Sequence, residues 1–475
     1  MSGLTPIYTA LQQHAGKDFL RLHMPGHVGK GIKQEALFRL TTLDLTEIPG
    51  LDDLHLPAGV IKESQELLAQ AFGAGKSYYL VNGATSGIHT LFLALNQEGE
   101  EVLLPRNAHR SFYGGLVLSG ATPVYIPVQV ESELGIALAV TAEDVNRLLI
   151  SNPDVNNVFI SSPSYYGTSC DIAGIAGITS THNKLLLVDE AHGAHFAFSP
   201  LYPRPALESG ADGVVNGLHK TLPVLNQGAC LHLSPRLADD AGIAKTLSLL
   251  TTTSPSYPIL ASMELARQFM EGNGERLLEK SYRLSREYRQ KINAITGLSC
   301  CEQELQTVTG VTGLDPLKIL VSVRGSALNG YQFAALLRDK YGIQVELDNP
   351  NFILAMFSIF HDRNDWEKFY QALQAIAGAY PGRGGWSKVE LPPIPLMLLT
   401  PRQAFRASYH KVPVKDALNR VAAEMIAVYP PGIPCILPGE LINQEILDYI
   451  IYLGKSEVRI QGPQDPSLEY INVIE

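Results

Sequence analysis

From about residue 60 to 235, short and continuously apolar runs alternate with longer stretches of helical period. The runs at 101–105, 123–128, 157–161, 184–189, 213–216 and 229–233 carry little alternation, which predicts strands covered on both faces. The stretches 61–72, 85–96, 141–150 and 171–182 predict the helices that cross between them. This β-α-β-α rhythm gives an α/β fold, a mostly parallel sheet with helices on both sides.

Past residue 251 the texture changes. Residues 259–296 predict one long helix, followed by a strand at 317–324, a helix at 330–341, strand-like runs at 343–347 and 352–360, and a helix at 365–380. The reading divides the chain into an N-terminal arm (1–50), a large domain (51–300) and a smaller C-terminal α+β domain (301–475). Residues 381–385 read as a linker, and the proline-rich tail from 389 onward predicts a segment that wraps the domains without forming another sheet.

Composition narrows the class. In 475 residues, 45% are hydrophobic and 18% charged, enough apolar material for a large core. Formal net charge is 37 − 47 = −10 without blocks of like sign, which argues against a nucleic-acid footprint. No run approaches the roughly 18 apolar residues of a membrane helix, and the first thirty residues carry no secretory pattern. Five cysteines without CxxC pairs, the vicinal Cys300 and Cys301 among them, predict reduced thiols and a cytoplasmic protein.

Candidate chemistry sits where apolar runs stop. Asp189 ends one run, at the strand end where parallel sheets bind ligands. Lys220 lies between two apolar runs, and a desolvated lysine favours the neutral amine that forms a Schiff base with a carbonyl. Val81-Asn-Gly-Ala-Thr-Ser-Gly87 lies between a short strand and a helix, whose start is a place for an anion, and His109 opens another helix. Gly73-Ala-Gly-Lys-Ser77 resembles the end of a phosphate loop, but it follows a helical segment. The pairs His192/His195 and His23/His27 have metal-like spacing without a matching ligand set.

The order of these features resembles fold-type I pyridoxal-phosphate enzymes. The text narrows it: Asp44-Leu-Thr-Glu-Ile-Pro-Gly-Leu-Asp-Asp-Leu-His55, Gly59-Val-Ile-Lys-Glu63, Val188-Asp-Glu-Ala-His-Gly-Ala-His-Phe196, His219-Lys-Thr-Leu-Pro223 and Thr253-Ser-Pro-Ser-Tyr-Pro258 resemble the ornithine/lysine/arginine decarboxylase family in its short bacterial form. Tyr429-Pro-Pro-Gly-Ile-Pro434 and Leu437-Pro-Gly-Glu440 extend the likeness. The resemblance implies decarboxylation of a basic amino acid, arginine first and then lysine or ornithine, by a homodimer using pyridoxal 5'-phosphate. It implies that Lys220 carries the cofactor, Asp189 faces the ring nitrogen, Ala191 packs beneath the ring and His109 stacks above it. Ala84, Thr85, Ser86 and His219 then belong to the phosphate, Ser254 to the phosphate of the neighbouring subunit, and Glu440 to the distal cation of the substrate. Lys220 or His219 returns the proton.

The chain departs from the family pattern at Val28, Ala84, Ile88 and Gly217, where the family carries a basic residue, a hydroxyl residue, Asn and Ser. Two lost phosphate-facing hydroxyls cost about 0.5–1.5 kcal/mol each in cofactor binding. Two alternatives stay open: another fold-type I reaction such as an aminotransferase, with Arg324 available for a carboxylate, or a catalytically silent regulatory relative.

Overall fold

The computed structural model describes residues 19–22, 45, 52–382, 392–429, 433–456 and 459–475. Seven strands form the main sheet: β1 (Lys76–Leu80), β2 (Glu101–Pro105), β3 (Thr122–Ile126), β4 (Asn157–Ser161), β5 (Leu185–Asp189), β6 (Gly213–Asn216) and β7 (Ala229–Leu233). Their spatial order is β1-β7-β6-β5-β4-β2-β3. The five strands from β6 to β3 run parallel, and β7 is antiparallel to both neighbours. Both faces are buried, which is why these strands read as continuous apolar runs. Each run identified in the sequence is one of these strands; β1 opens with Lys76, three residues after the left-handed Gly73 cap of the helix before it.

The crossover helices are α1 (Val60–Phe72), α2 (Gly83–Leu95), α3 (Arg110–Ser119), α4 (Ala142–Ser151) and α5 (Ile172–Thr181). Ile88, Leu91, Phe92, Phe112 and Leu116 of α2 and α3 pack on one face against Val102, Phe159 and Val215. Val145, Leu149, Ile172 and Ile175 of α4 and α5 pack on the other, against Leu103, Val158 and Leu186. A single turn, α6 (Leu218–Thr221), follows β6 and is capped by Gly217.

The 37-residue helix α7 (Tyr257–Asn293) follows, starting with Pro at its first turn. It shares a core with α1 and with a second, antiparallel sheet of β8 (Ser299–Cys300), β9 (Lys318–Ser322), β10 (Leu347–Asp348) and β11 (Phe352–Met356), in the order β8-β9-β11-β10. Helices α8 (Gly330–Tyr341) and α9 (Arg363–Ala379) cover this sheet. The run expected at 352–360 stops at Met356, and the run at 343–347 is divided, Ile343–Val345 pairing with Leu20–Leu22.

The tail corrects the sequence reading. It forms sheets of its own: β12 (Tyr409–Pro413) pairs with β16 (Tyr470–Ile474), and β13 (Ile426–Tyr429) pairs with both β14 (Ile433–Ile436) and β15 (Arg459–Gln461). With α10 (Gln444–Lys455) they bury Ile426, Ile436, Ile446, Ile450 and Val473 in a separate core. Prolines are tolerated because Pro413 ends β12 and Pro434 sits beside a register shift on an edge strand. Residues 23–27 and 383–385 lie outside the described residues.

Candidate active site

The carboxyl ends of the parallel strands open onto a cavity of about 750 Å³. Its wall brings together Ala84, Thr85, His109, Asp189, Ala191, His219 and Lys220. Asp189 is the last residue of β5, and its Oδ1 accepts the Ala191 N–H at 3.0 Å, which fixes the carboxylate at the strand end.

Lys220 lies within the short turn α6, its stem over Gly217 and its Nζ 3.2 Å from His192 Nε2. Burial lowers its pKa, against the pull of Asp189 and Glu346. His219, one residue earlier, is held by Gly228: its Nδ1 lies 3.0 Å from that carbonyl oxygen. A carbonyl only accepts, so Nδ1 carries the proton and neutral His219 offers a lone pair at Nε2. Burial lowers its pKa too.

His109 caps α3. Its Nδ1 accepts from the Ser111 N–H at 3.2 Å and lies 2.9 Å from Ser111 Oγ. Burial keeps the ring neutral, lowering its pKa despite Asp189. Across the cavity Gly83, Ala84 and Thr85 start α2, with Gly83 in the left-handed region at φ +78°. Ile88 lies behind them on the cavity wall and packs into the sheet core.

Three sequence-derived positions sit elsewhere. The Ser86 hydroxyl turns into its own helix and donates to the Gly83 carbonyl at 2.8 Å, so it does not reach the cavity. Glu440 is not a free carboxylate facing a substrate: it is 1% exposed and paired with Arg106 through two contacts of 2.5 and 2.7 Å. It also accepts the Leu437 N–H at 2.8 Å, so the Pro-Gly-Glu turn is tied to the rim. Ser254 is exposed, its N–H donating to Thr252 Oγ1, and is not on the cavity wall of its own chain. Arg324 pairs with Glu133 and lines a different cavity.

Sequence reasoning missed His192 and Lys318. His192, one turn beyond Asp189, is buried, with Nε2 toward Lys220 and Nδ1 3.1 Å from Lys318 Nζ. Lys318 opens β9, is 1% exposed and lies 5.1 Å from the centre of the Tyr165 ring. Burial brings its pKa down to about 8, against Glu346 and Asp315. The available signal was a lysine inside an apolar run, Leu317-Lys-Ile-Leu-Val321. The spacing partner of His192, His195, faces Asp315 at 3.2 Å instead. Arg106 was missed as well; it directly follows β2 and lies over the Tyr125 ring at 4.8 Å.

The cavity joins an amine, a carboxylate, neutral rings and a helix start, with Ala191 adding no bulk at its floor. Ser161 Oγ and Tyr113 OH are buried on the wall without a hydrogen-bond partner among the described residues. These residues fit a planar ring bearing an aldehyde, a ring nitrogen and an anionic group.

Comparison with known proteins agrees with that geometry. Residues 5–365 match the family model for the "Orn/Lys/Arg decarboxylase, major domain", and residues 391–463 match the "Orn/Lys/Arg decarboxylase, C-terminal domain". The chain is 36% identical to an arginine decarboxylase of Bacillus subtilis, covering 99% of this chain and 98% of that one. It is 34% identical to an arginine decarboxylase of Bacillus anthracis, over 99% and 97%. Among solved structures, lysine decarboxylase A of Pseudomonas aeruginosa superposes with a TM-score of 0.77 at 20% identity, over 99% of this chain and 76% of that one, a likeness of fold.

Proposed function

The chain belongs to the Orn/Lys/Arg decarboxylase family of amino-acid decarboxylases, and from that premise we propose that it removes the α-carboxyl group of arginine, with pyridoxal 5'-phosphate held at Lys220. The observation that carries the reading is the meeting of the Lys220 amine and the Asp189 carboxylate on one cavity at the strand ends. Arginine is favoured over lysine and ornithine because relatives matched along almost the whole chain are arginine decarboxylases. Tyr113 on the wall suits the flat face of a guanidinium, Tyr125 and Tyr165 already facing Arg106 and Lys318.

When bound, the cofactor supplies the electron sink for carbon dioxide loss. The chain supplies placement. Lys220 offers a partly desolvated amine to the aldehyde. Asp189 would face the ring nitrogen and favour its protonated form, and neutral His109 and small Ala191 would suit the two faces of the ring. Gly83, Ala84 and Thr85 offer the start of α2 to the phosphate. The proton returned to the product carbon comes from Lys220 Nζ, because His219 Nε2 is an acceptor. The same reading carries a cytoplasmic homodimer in which Ser254 serves the neighbouring copy.

The test is carbon dioxide release from a panel of amino acids, wild type against Lys220→Ala. Arginine is expected to give agmatine and carbon dioxide, and the folded variant to lose turnover. Faster release from lysine or ornithine overturns the substrate, a keto acid product overturns the reaction, and near-normal turnover by Lys220→Ala overturns the site.

A further inference from the structure

His192 stands between two lysine amines, and this arrangement constrains their protons. Its Nε2 lies 3.2 Å from Lys220 Nζ and its Nδ1 3.1 Å from Lys318 Nζ. A neutral imidazole has one N–H and one lone pair, so it cannot accept from two ammonium groups. An imidazolium would need both lysines to be free amines, with the charge on the buried ring. Burial and the two lysines together drive the His192 pKa well below its ordinary value, so the ring is neutral. At most one of the two lysines is therefore an ammonium, and at least one is a free amine.

We propose that Lys318, through His192, takes up the proton that Lys220 must lose before it can attack a carbonyl. The inference rests on Lys220 being the aldehyde-capturing residue. In the step, the Lys220 proton passes to His192 Nε2 as the His192 Nδ1 proton passes to Lys318 Nζ. No net proton leaves the cluster; the imidazole changes tautomer, and Lys220 becomes the amine. Its lone pair then adds to the aldehyde carbon, and water leaves as the carbon–nitrogen double bond forms.

The surroundings suit both ends. Lys318, as an ammonium, meets the Tyr165 ring face, with Glu346 and Asp315 as counter-charges. Lys220, when it holds the proton, has Asp189 and again Glu346. Of the other titratable groups beside His192, His109 and His219 are kept neutral by burial, and Tyr165 packs edge-on against its ring with the hydroxyl on Glu346. The exchange moves one charge between two sites already provided for it. Lys318 never touches the reacting atoms and is a positioning residue.

The experiment follows capture of added pyridoxal phosphate by the full chain freed of bound cofactor. Borohydride is added at a series of pH values, and labelling of the Lys220 peptide is read by mass spectrometry. Wild type is expected to capture with a midpoint below that of its surface lysines. Lys318→Met and His192→Asn should each move the midpoint upward, slowing capture at pH 7 about tenfold, the ratio set by one pH unit. Capture at pH 10 should be restored in both. A shift in Lys318→Met alone overturns the relay, because it reports only the through-space charge of Lys318; no shift in His192→Asn overturns it as well. If Lys318→Met does not fold, His192→Asn decides alone, with His192→Gln in reserve. Absence of label at Lys220 in wild type itself overturns the earlier assignment of that residue.

Discussion

Arg106 and Glu440, 334 residues apart, meet in a buried two-pronged ion pair that fastens the C-terminal unit to the rim of the active-site cavity. Arg106 Nε also donates to the Pro434 carbonyl at 3.3 Å. Burial opposes the charge on Arg106, and Glu440 restores it, raising its pKa. Removing one partner leaves the other charge buried and unpaired, which costs about 3–5 kcal/mol. Glu440→Gln is therefore expected to lower the thermal unfolding temperature, and the double change Arg106→Met with Glu440→Leu to recover most of it. Calorimetry of the three chains checks this. Unchanged melting of Glu440→Gln would remove the pair as a fastening.

Asp189 is expected to govern turnover more than assembly. Its carboxylate is fixed by the Ala191 N–H, a contact that asparagine can keep through its amide oxygen. Asp189→Asn removes the charge proposed to face the ring nitrogen, and with it a charge that favours the ammonium form of Lys220. Loss of one such preorganised electrostatic contact costs about a hundredfold or more in rate. Carbon dioxide release should fall by at least that, while borohydride still labels Lys220. Turnover within tenfold of wild type would displace Asp189 from its assigned place.

What could be read in the sequence divides along physical lines. The strands 157–161, 213–216 and 229–233 were legible because burial on both faces leaves an uninterrupted apolar run. Asp189 stood out because it stops an apolar run, and Lys220 because it lies between two such runs. Lys318 does the same inside β9, but its partners, His192 and Tyr165, come from distant parts of the chain. His192 was hidden by its spacing to His195, which suggests a metal pair, whereas the two rings serve different neighbours. The Arg106–Glu440 contact leaves no local trace, so Glu440 read as a loop carboxylate free to meet a substrate. In the tail, prolines suppressed the strand pattern although they stand at strand ends and edges.

His232 ties acid sensitivity to the core. It lies 1% exposed beneath the Phe72 ring at 4.3 Å, with Ser77 Oγ 2.7 Å from Nδ1 and Cys230 Sγ 2.9 Å from Nε2. Burial brings its pKa to about 3, against an ordinary 6.5. Between those values the unfolded chain binds a proton that the folded chain does not. Stability is thus complete above pH 6.5 and falls as pH drops toward 3, by on the order of 4 kcal/mol from this residue. His232→Gln, less stable at pH 8 for want of the ring contact, should lose less between pH 6.5 and 4 than wild type. Chemical denaturation at the three pH values measures it, and parallel acid losses in the two chains would refute the assignment.

Gly217 leaves little room for the side chain that the family resemblance implies at this position. A Cβ there would stand 2.9 Å from the Ala191 carbonyl oxygen and 3.2–3.3 Å from two carbons of the Lys220 stem. The first contact is with backbone, on the segment that carries Asp189 and His192, so it cannot be relieved by rotating a side chain. Restoring the hydroxyl therefore presses apart the two elements that hold the amine and the carboxylate. Gly217→Ser is expected to lose about 1–3 kcal/mol of stability, the usual cost of overpacking, and to slow capture of pyridoxal phosphate at Lys220. Unfolding curves and borohydride trapping test the two effects separately. A serine variant that melts with wild type and binds the cofactor more tightly would mean that a missing phosphate contact, not the close approach of Ala191, is what matters at this glycine.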